Sequence, residues 1–192
     1  YILNPGDSIQ VRLWGAFTFD GALQVDPKGN IFLPNVGPVK VAGVSNSQLN
    51  ALVTSKVKEV YQSNVNVYAS LLQAQPVKVY VTGFVRNPGL YGGVTSDSLL
   101  NYLIKAGGVD PERGSYVDIV VKRGNRVRSN VNLYDFLLNG KLGLSQFADG
   151  DTIIVGPRQH TFSVQGDVFN SYDFEFRESS IPVTEALSWA RP

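Results

Sequence analysis

A chain of 192 residues with 43% hydrophobic and 17% charged residues has the composition of one or two globular domains and not of a disordered protein. Its 17 basic and 16 acidic residues nearly cancel, so no nucleic-acid partner is expected. The absence of Cys and the single histidine, His160, argue against disulfides and a zinc site, and we expect no metal and no cofactor.

No apolar run reaches the roughly 18–20 residues that a membrane-spanning helix needs. The first residues carry neither a signal peptide nor a lipidation motif. We therefore expect membrane contact only through parts of a longer protein that lie outside this chain.

Residues 1–74 are predicted to form a first α+β domain. Residues 8–14 alternate apolar and polar side chains, which predicts a half-buried strand. Two short strands, 23–25 and 31–33, are expected to form a hairpin across the loop between them, because that loop contains Pro and Gly.

The same domain is predicted to contain one helix of about four turns. Ser45 and Gln48 have the spacing of a capping box at its start. The apolar stripe of this helix consists of Leu49, Leu52, Val53, Val57 and Val60. A strand beginning at Val65 is expected to close the domain.

Residues 75–157 are predicted to form a second, β-grasp-like domain, a helix laid on one face of a mixed sheet. Its first half contains strand 77–85, a turn, strand 90–94 and a helix from Leu99 to Ile104. Thr95 or Ser96 is the predicted cap of that helix, and Gly107 is its predicted left-handed stop. The second half contains strands 116–123, 126–131 and 151–155, and a short helix over 133–138 with Asn132 as cap.

Residues 158–192 resemble the start of the second domain and predict an incomplete second β-grasp repeat. Strand 160–168 aligns with 77–85, and helix 183–190 aligns with 99–106. Val183, Leu187 and Trp189 are expected to cover the apolar face of the strand. Because a hairpin with one helix is marginal alone, we expect this segment to pack against the preceding domains or a neighbouring molecule.

Short motifs spread along the chain resemble the outer-membrane polysaccharide export protein family. They are Pro5-Gly6-Asp7, Asp26 with Gly29 and residues 31–34, Gly37 with residues 41–43, residues 81–85 with 88–91, Ala106-Gly107-Gly108, Arg123, and Asp149-Gly150-Asp151. Each motif alone is ordinary turn chemistry, but their order is that of the family. The resemblance implies an export domain over 1–74, a soluble-ligand-binding β-grasp domain over 75–157, and the start of a second one.

The resemblance also implies a function. Members of the family form a homo-oligomeric ring in the periplasm of Gram-negative bacteria, associated with the outer membrane, which conducts capsular polysaccharide or exopolysaccharide. The ring docks on an inner-membrane partner, a polysaccharide co-polymerase that carries a tyrosine kinase or a related coiled-coil protein. The family's lipidated Cys and carboxy-terminal amphipathic helix are not found in this chain.

Catalysis is not expected from these residues. Each acidic motif residue stands beside Gly or Pro, where Asp side chains usually bond their own backbone; they are Asp7, Asp26, Asp149 and Asp151. The aromatic side chains are better candidates for function, because rings stack on sugars and also form subunit contacts. The candidate glycan or subunit contacts are Trp14, Phe17, Tyr68, Tyr80, Tyr91 and Tyr116.

Two functions from different classes therefore follow. The first is a non-enzymatic subunit of a polysaccharide export channel. The alternative is a monomeric periplasmic module that binds a small soluble ligand or glycan through its β-grasp domain.

Overall fold

The computed structural model describes residues 1–62, 64–143 and 146–191 and has the predicted α+β fold. Its contacts divide the chain into two compact units. The first unit consists of Tyr1–Pro76 with Val94–Ser96, and the second of Val77–Gly93 with the described residues from Asp97 onward. The division of the second unit into domains 75–157 and 158–192 stays a prediction.

The first unit is a three-stranded antiparallel sheet with a helix packed on one face. Its elements are β1 (Ser8–Gly15), β2 (Phe19–Gln24), β3 (Asn30–Leu33), β4 (Gly37–Lys40), α1 (Asn46–Val60) and β5 (Val65–Gln73). The central strand β1 lies between β2 and β5. The core contains alternate residues of β1 and one stripe of α1, namely Ile9, Val11, Leu13, Leu49, Val53 and Val57. The predicted strands β1 and β5 and the predicted helix are confirmed.

The predicted hairpin between 23–25 and 31–33 is wrong. β2 pairs along the length of β1, and β3 pairs instead with β4, with Ile31 opposite Val39. The loop does turn tightly, because the Asp26 N–H donates to the Asn30 carbonyl at 2.8 Å, but the strands on its two sides do not pair. Strand β4 was missed because Pro38 argues against a strand, although a two-stranded ribbon leaves an edge where a missing N–H is tolerated.

The predicted capping box at the start of α1 is also wrong. The Ser45 hydroxyl donates to the Gln48 side chain at 2.9 Å, and among the described residues it makes no capping bond to the helix backbone. The predicted stripe is buried at Leu49, Val53 and Val57, whereas Val60 is half exposed at the end of the helix.

The second unit contains a five-stranded mixed sheet and a small carboxy-terminal segment. Its elements are β6 (Pro76–Gly83), β7 (Gly89–Val94), α2 (Leu99–Lys105), β8 (Gly114–Arg123), β9 (Arg126–Val131), α3 (Leu133–Asn139), β10 (Thr152–Pro157), β11 (His160–Ser163), β12 (Asp173–Phe176) and α4 (Val183–Ala190). The strand order is β7-β6-β10-β8-β9, with β10 parallel to β6 and antiparallel to β8. Helix α2 shares the core with this sheet. This is the β-grasp-like layout that the sequence predicts.

The ends of α2 differ in how well the sequence predicts them. Ser98 caps the helix through a bond from the Asn101 N–H, so the prediction of Thr95 or Ser96 as cap is wrong. The predicted stop is confirmed, because Gly107 has a φ of +77° and the next N–H returns to the Leu103 carbonyl. In the predicted stripe Ile104 is exposed.

Tyr102 is the large side chain that α2 buries. Its ring packs edge-to-face on Phe147 with centroids 4.8 Å apart. Burial raises the pKa of the Tyr102 phenol to about 12, so this group stays neutral at physiological pH.

The carboxy-terminal segment is a two-stranded ribbon, β11 with β12, followed by α4. The predicted strand from residue 160 ends at Ser163, earlier than expected. Trp189 packs on the rings of Phe162 and Phe174, but Val183 and Leu187 are exposed, so the prediction that they cover the strand is wrong. The segment does pack against β8, as expected, through a buried carboxyl group described below.

Within the described residues, no helix combines the length and the hydrophobicity that crossing a membrane requires.

Candidate functional site

The side chains of the acidic motif residues accept hydrogen bonds from backbone N–H groups. Asp7 is fully buried and accepts hydrogen bonds from the N–H groups of Asn4 and Gln75, each at 2.8 Å. Its carboxylate also accepts the Tyr1 hydroxyl at 3.0 Å. Pro5-Gly6-Asp7 thus ties the start of the first unit to Gln75, two residues after the end of β5.

The Asp149-Gly150-Asp151 motif has the same kind of role in the second unit. Asp151 is buried, and its carboxylate accepts hydrogen bonds from Nε and Nη2 of Arg123, at 2.8 and 2.9 Å. It also accepts the Ala148 N–H at 2.8 Å. Asp149 accepts the Lys78 N–H at 2.8 Å. In the first unit, Asp26 accepts the Asn30 N–H at 2.8 Å, and this bond lowers the pKa of its carboxyl group.

The six predicted aromatic contacts do not form one site. Phe17 stacks on Tyr61 with centroids 5.6 Å apart. Tyr91 packs against the second core and donates its hydroxyl to the Asn87 carbonyl at 2.6 Å. Tyr80 is half exposed on β6. The remaining three lie in two concave surfaces, one in each unit: Trp14, Tyr68 and Tyr116.

The first concave surface lies on the solvent face of the first unit's sheet. We call it the sheet-face groove; its residues are Gln10, Arg12, Trp14, Tyr68, Ser70, Leu71 and Leu72. Antiparallel pairing places Arg12 directly opposite Tyr68, and Trp14 follows two residues along β1 on the same face. The groove has a volume of about 570 Å³.

Both aromatic side chains of the sheet-face groove are half exposed, 49% for Trp14 and 50% for Tyr68. Beside them the Arg12 guanidinium pairs with Asp20 at 3.3 Å, which balances its charge. The groove therefore offers two rings beside a nearly neutral set of hydrogen-bonding groups, a combination suited to sugar rings or to a neighbouring protein surface.

The second concave surface lies in the second unit, where β8 and α3 meet β12. We call it the aromatic cavity and define it by Tyr116, Tyr134, Arg158, Tyr172, Phe174 and Glu175. Its volume is about 540 Å³.

A bulge in β8 produces one wall of the aromatic cavity. Between the pairs Val155–Ile119 and Pro157–Gly114, residues 115–118 of β8 lie opposite the single residue Gly156. Backbone N–H groups of this stretch therefore need partners outside the ladder. The Ser115 hydroxyl accepts two of them, from Val117 at 3.1 Å and Asp118 at 2.8 Å.

Another donor of the bulge, the Tyr116 N–H, bonds the carboxylate of Glu175 at 2.7 Å. Glu175 is 2% exposed, and its own N–H donates to the Tyr134 hydroxyl at 2.7 Å. These two bonds fasten β12 to β8 and α3. The Glu175 carboxylate thus lies at the Tyr116 N–H, and the Tyr134 hydroxyl lies at the Glu175 N–H.

Arg158 and Tyr134 set the electrostatics of the aromatic cavity. The Arg158 guanidinium lies over the Tyr116 ring, 5.8 Å from its centroid, and its Nε donates to the Gly114 carbonyl at 3.2 Å. Burial raises the pKa of the Tyr134 phenol, so this group keeps its proton at neutral pH. Tyr134 thus accepts one bond from Glu175 and still has a proton to donate.

Sequence reasoning found Tyr116 but missed Tyr134, Arg158 and Glu175. Each of these three residues has an ordinary local context. Tyr134 lies on the short helix α3, Arg158 directly follows β10, and Glu175 lies in the short strand β12. No local pattern signals that they meet.

Residues 1–72 match the family model described as "Polysaccharide biosynthesis/export protein". The chain is also similar to the exopolysaccharide production protein ExoF of Rhizobium meliloti (strain 1021), with 29% identity over 119 residues. That alignment covers 57% of this chain and 28% of the relative, so the chain spans less than a third of the relative's length. All residues of the sheet-face groove lie within the range that matches the family model. Over residues 1–72 the chain thus matches the model of the polysaccharide biosynthesis/export protein family, the family that its motifs predicted.

Proposed function

We propose that this chain is part of a non-enzymatic subunit of an exopolysaccharide or capsular polysaccharide export channel. The observation that carries the proposal is the family match over residues 1–72. The similarity to an exopolysaccharide production protein supports the same polymer class. In this proposal the protein works in the periplasm of a Gram-negative bacterium, associated with the outer membrane.

The sheet-face groove is the surface we assign to contact with the polymer or with a neighbouring subunit. Trp14 and Tyr68 offer exposed rings, and the Arg12–Asp20 pair keeps the local charge near zero. A nearly neutral surface suits a conduit, because a strongly basic one would hold an acidic polymer by charge attraction.

A non-enzymatic role agrees with how the acidic motif residues are engaged. Asp7 and Asp151 are buried and accept bonds from backbone N–H groups, and Asp151 also pairs with Arg123. A general acid or base needs access to its substrate, and these two carboxylates face protein donors instead.

The oligomeric state of the full-length protein tests this proposal. The full-length protein in detergent should form a closed homo-oligomeric ring, and it should bind an inner-membrane polysaccharide co-polymerase or kinase. Native mass spectrometry should give one dominant mass that is an integer multiple, above two, of the subunit mass. A single monomeric species at micromolar concentration would contradict the ring.

A specific observation favours a second candidate function, a module that binds a small ligand or glycan. The aromatic cavity lies in the unit that contains the β-grasp-like sheet, and it combines rings with a buried carboxylate. Oligomer formation by the full-length protein separates the two candidates, because the module would remain monomeric.

A further inference from the structure

We propose that the aromatic cavity of the second unit binds a neutral sugar, of the size of one or two hexose units. This proposal rests on the second candidate function above and deepens it by naming the class of ligand, at a site outside the part of the chain that matches the family model. All residues from which the proposal is argued lie within the second unit.

The walls of the cavity fit the apolar faces of a sugar ring. Tyr116, Tyr134, Tyr172 and Phe174 all line it. Tyr172 is 68% exposed at its edge, whereas Phe174 is buried and packs edge-to-face on Tyr134 with centroids 6.5 Å apart. A rigid inner wall with an exposed ring at the edge can hold a flat ligand between aromatic surfaces.

The polar groups fit the hydroxyls of a sugar. The Tyr134 phenol has a proton to donate, and the Glu175 carboxylate has acceptor capacity beyond the bond from the Tyr116 N–H. Asn170 donates its amide N–H to the Trp189 carbonyl at 3.0 Å, which leaves its side-chain oxygen as an acceptor. A sugar hydroxyl both donates and accepts, so it can accept the Tyr134 proton or donate to a free acceptor oxygen of Glu175 or Asn170.

The burial of the Glu175 carboxylate indicates that it has acceptor capacity available for a further donor. A carboxylate that is 2% exposed is costly to bury, and one bond from a backbone N–H uses a fraction of its acceptor capacity. A bound hydroxyl would satisfy more of that capacity.

The charges of the cavity select a neutral ligand. Among its lining residues Arg158 supplies a positive charge, while Asp173 and Glu175 supply carboxylates. A uronic acid or a phosphate would place a further negative charge beside these two groups, in a partly desolvated site. A neutral hexose avoids that repulsion.

The size of the cavity is that of a small-molecule site. Its volume of about 540 Å³ lies within the range of roughly 300–1,000 Å³ that ligand pockets occupy. The β8 bulge, both ends of α3 and β12 all contribute to it, so the site depends on the packing of these elements.

The test is a titration of the isotopically labelled 192-residue chain with neutral disaccharides, namely cellobiose, maltose and lactose, followed by amide NMR spectra. We expect at least one of them to shift the amide signals of Tyr116 and Glu175, with weak affinity in the millimolar range. A glucuronic acid titration at the same concentrations should give smaller shifts. No shift with any of the three neutral sugars, or stronger binding of glucuronic acid, would overturn the proposal.

Two variants make the test specific. Tyr172→Ala removes an exposed ring and should weaken binding by about tenfold, the size of one aromatic contact. Glu175→Gln keeps an acceptor for the Tyr116 N–H but removes the charge, and it should also weaken binding. Tyr80→Ala is the matched control, since it removes a half-exposed tyrosine of β6 that does not line the cavity.

Binding that is equal in Tyr172→Ala, Glu175→Gln and Tyr80→Ala would overturn the assignment of the site. Amide spectra of each variant verify that it is folded, so loss of binding is not confused with loss of structure. Because the titration uses the purified chain, its outcome is independent of whether the full-length protein takes part in export.

Discussion

Replacing Asp7 by Ala should destabilise the first unit by roughly 2–6 kcal/mol, because two backbone N–H groups lose their acceptor at about 1–3 kcal/mol each. The donors are Asn4 and Gln75, and the Tyr1 hydroxyl loses a partner as well. Asp7 is fully buried, so water cannot easily replace its carboxylate. Urea unfolding followed by Trp14 fluorescence, in a Trp189→Phe background, measures this loss in the first unit.

Asp20→Ala is the matched control for Asp7→Ala. Asp20 is also an aspartate of the first unit, but its ion pair with Arg12 is 3.3 Å long and exposed on both sides. Exposed ion pairs contribute little, so the midpoint of unfolding should barely move. Equal, small shifts for the two variants would show that the Pro5-Gly6-Asp7 motif does not anchor this unit.

Gly83→Ala should destabilise the second unit by roughly 3 kcal/mol or more, the range of substitutions that combine steric overlap with backbone strain. Gly83 has a φ of +80°, and an added Cβ would lie 2.1 Å from the carbonyl oxygen of Val155. That oxygen accepts the Phe84 N–H at 2.9 Å, so either this bond or the adjacent pairing of β6 with β10 must give way. Urea unfolding followed by Trp189 fluorescence, in a Trp14→Phe background, measures the effect.

Gly124→Ala separates steric overlap from backbone conformation. Gly124 has a φ of +56°, and an added Cβ there meets no described atom within 4 Å. The Gly124→Ala substitution should lower the free energy of unfolding by about 1–2 kcal/mol, because only the left-handed backbone conformation opposes the added Cβ. If Gly83→Ala costs no more than Gly124→Ala, the close approach of β6 to β10 is not what requires Gly83.

Periodicity predicted the elements well because it reflects burial directly. The alternation in β1 and the helical stripe of α1 identify the residues that the first core contains: Ile9, Val11, Leu13, Leu49, Val53 and Val57. The same reasoning predicted the helix laid on a mixed sheet in the second unit. Failures occurred where several partners compete for one segment, as for β2, which pairs with β1 and not with β3.

The candidate sites were less predictable because they join residues that are distant along the chain. Trp14 and Tyr68 could each be named from the sequence, but their shared groove depends on the pairing of β1 with β5. The bond from the Tyr116 N–H to Glu175 spans 59 positions and exists because β8 bulges opposite Gly156. A bulge of this kind has no distinct local sequence pattern.

The amount of secreted polysaccharide is the most direct test of the proposed role in polymer export. The gene is deleted in its native host, and polymer in the medium and in the cell is measured after complementation with the full-length wild type, Trp14→Ala/Tyr68→Ala or Phe32→Ala. Phe32 is the control, an exposed aromatic of the first unit outside the sheet-face groove. We expect that deletion abolishes secretion, that wild type and Phe32→Ala restore it, and that the double variant restores it poorly at equal protein level. Undiminished secretion in the deletion strain would show that the protein has no role in export.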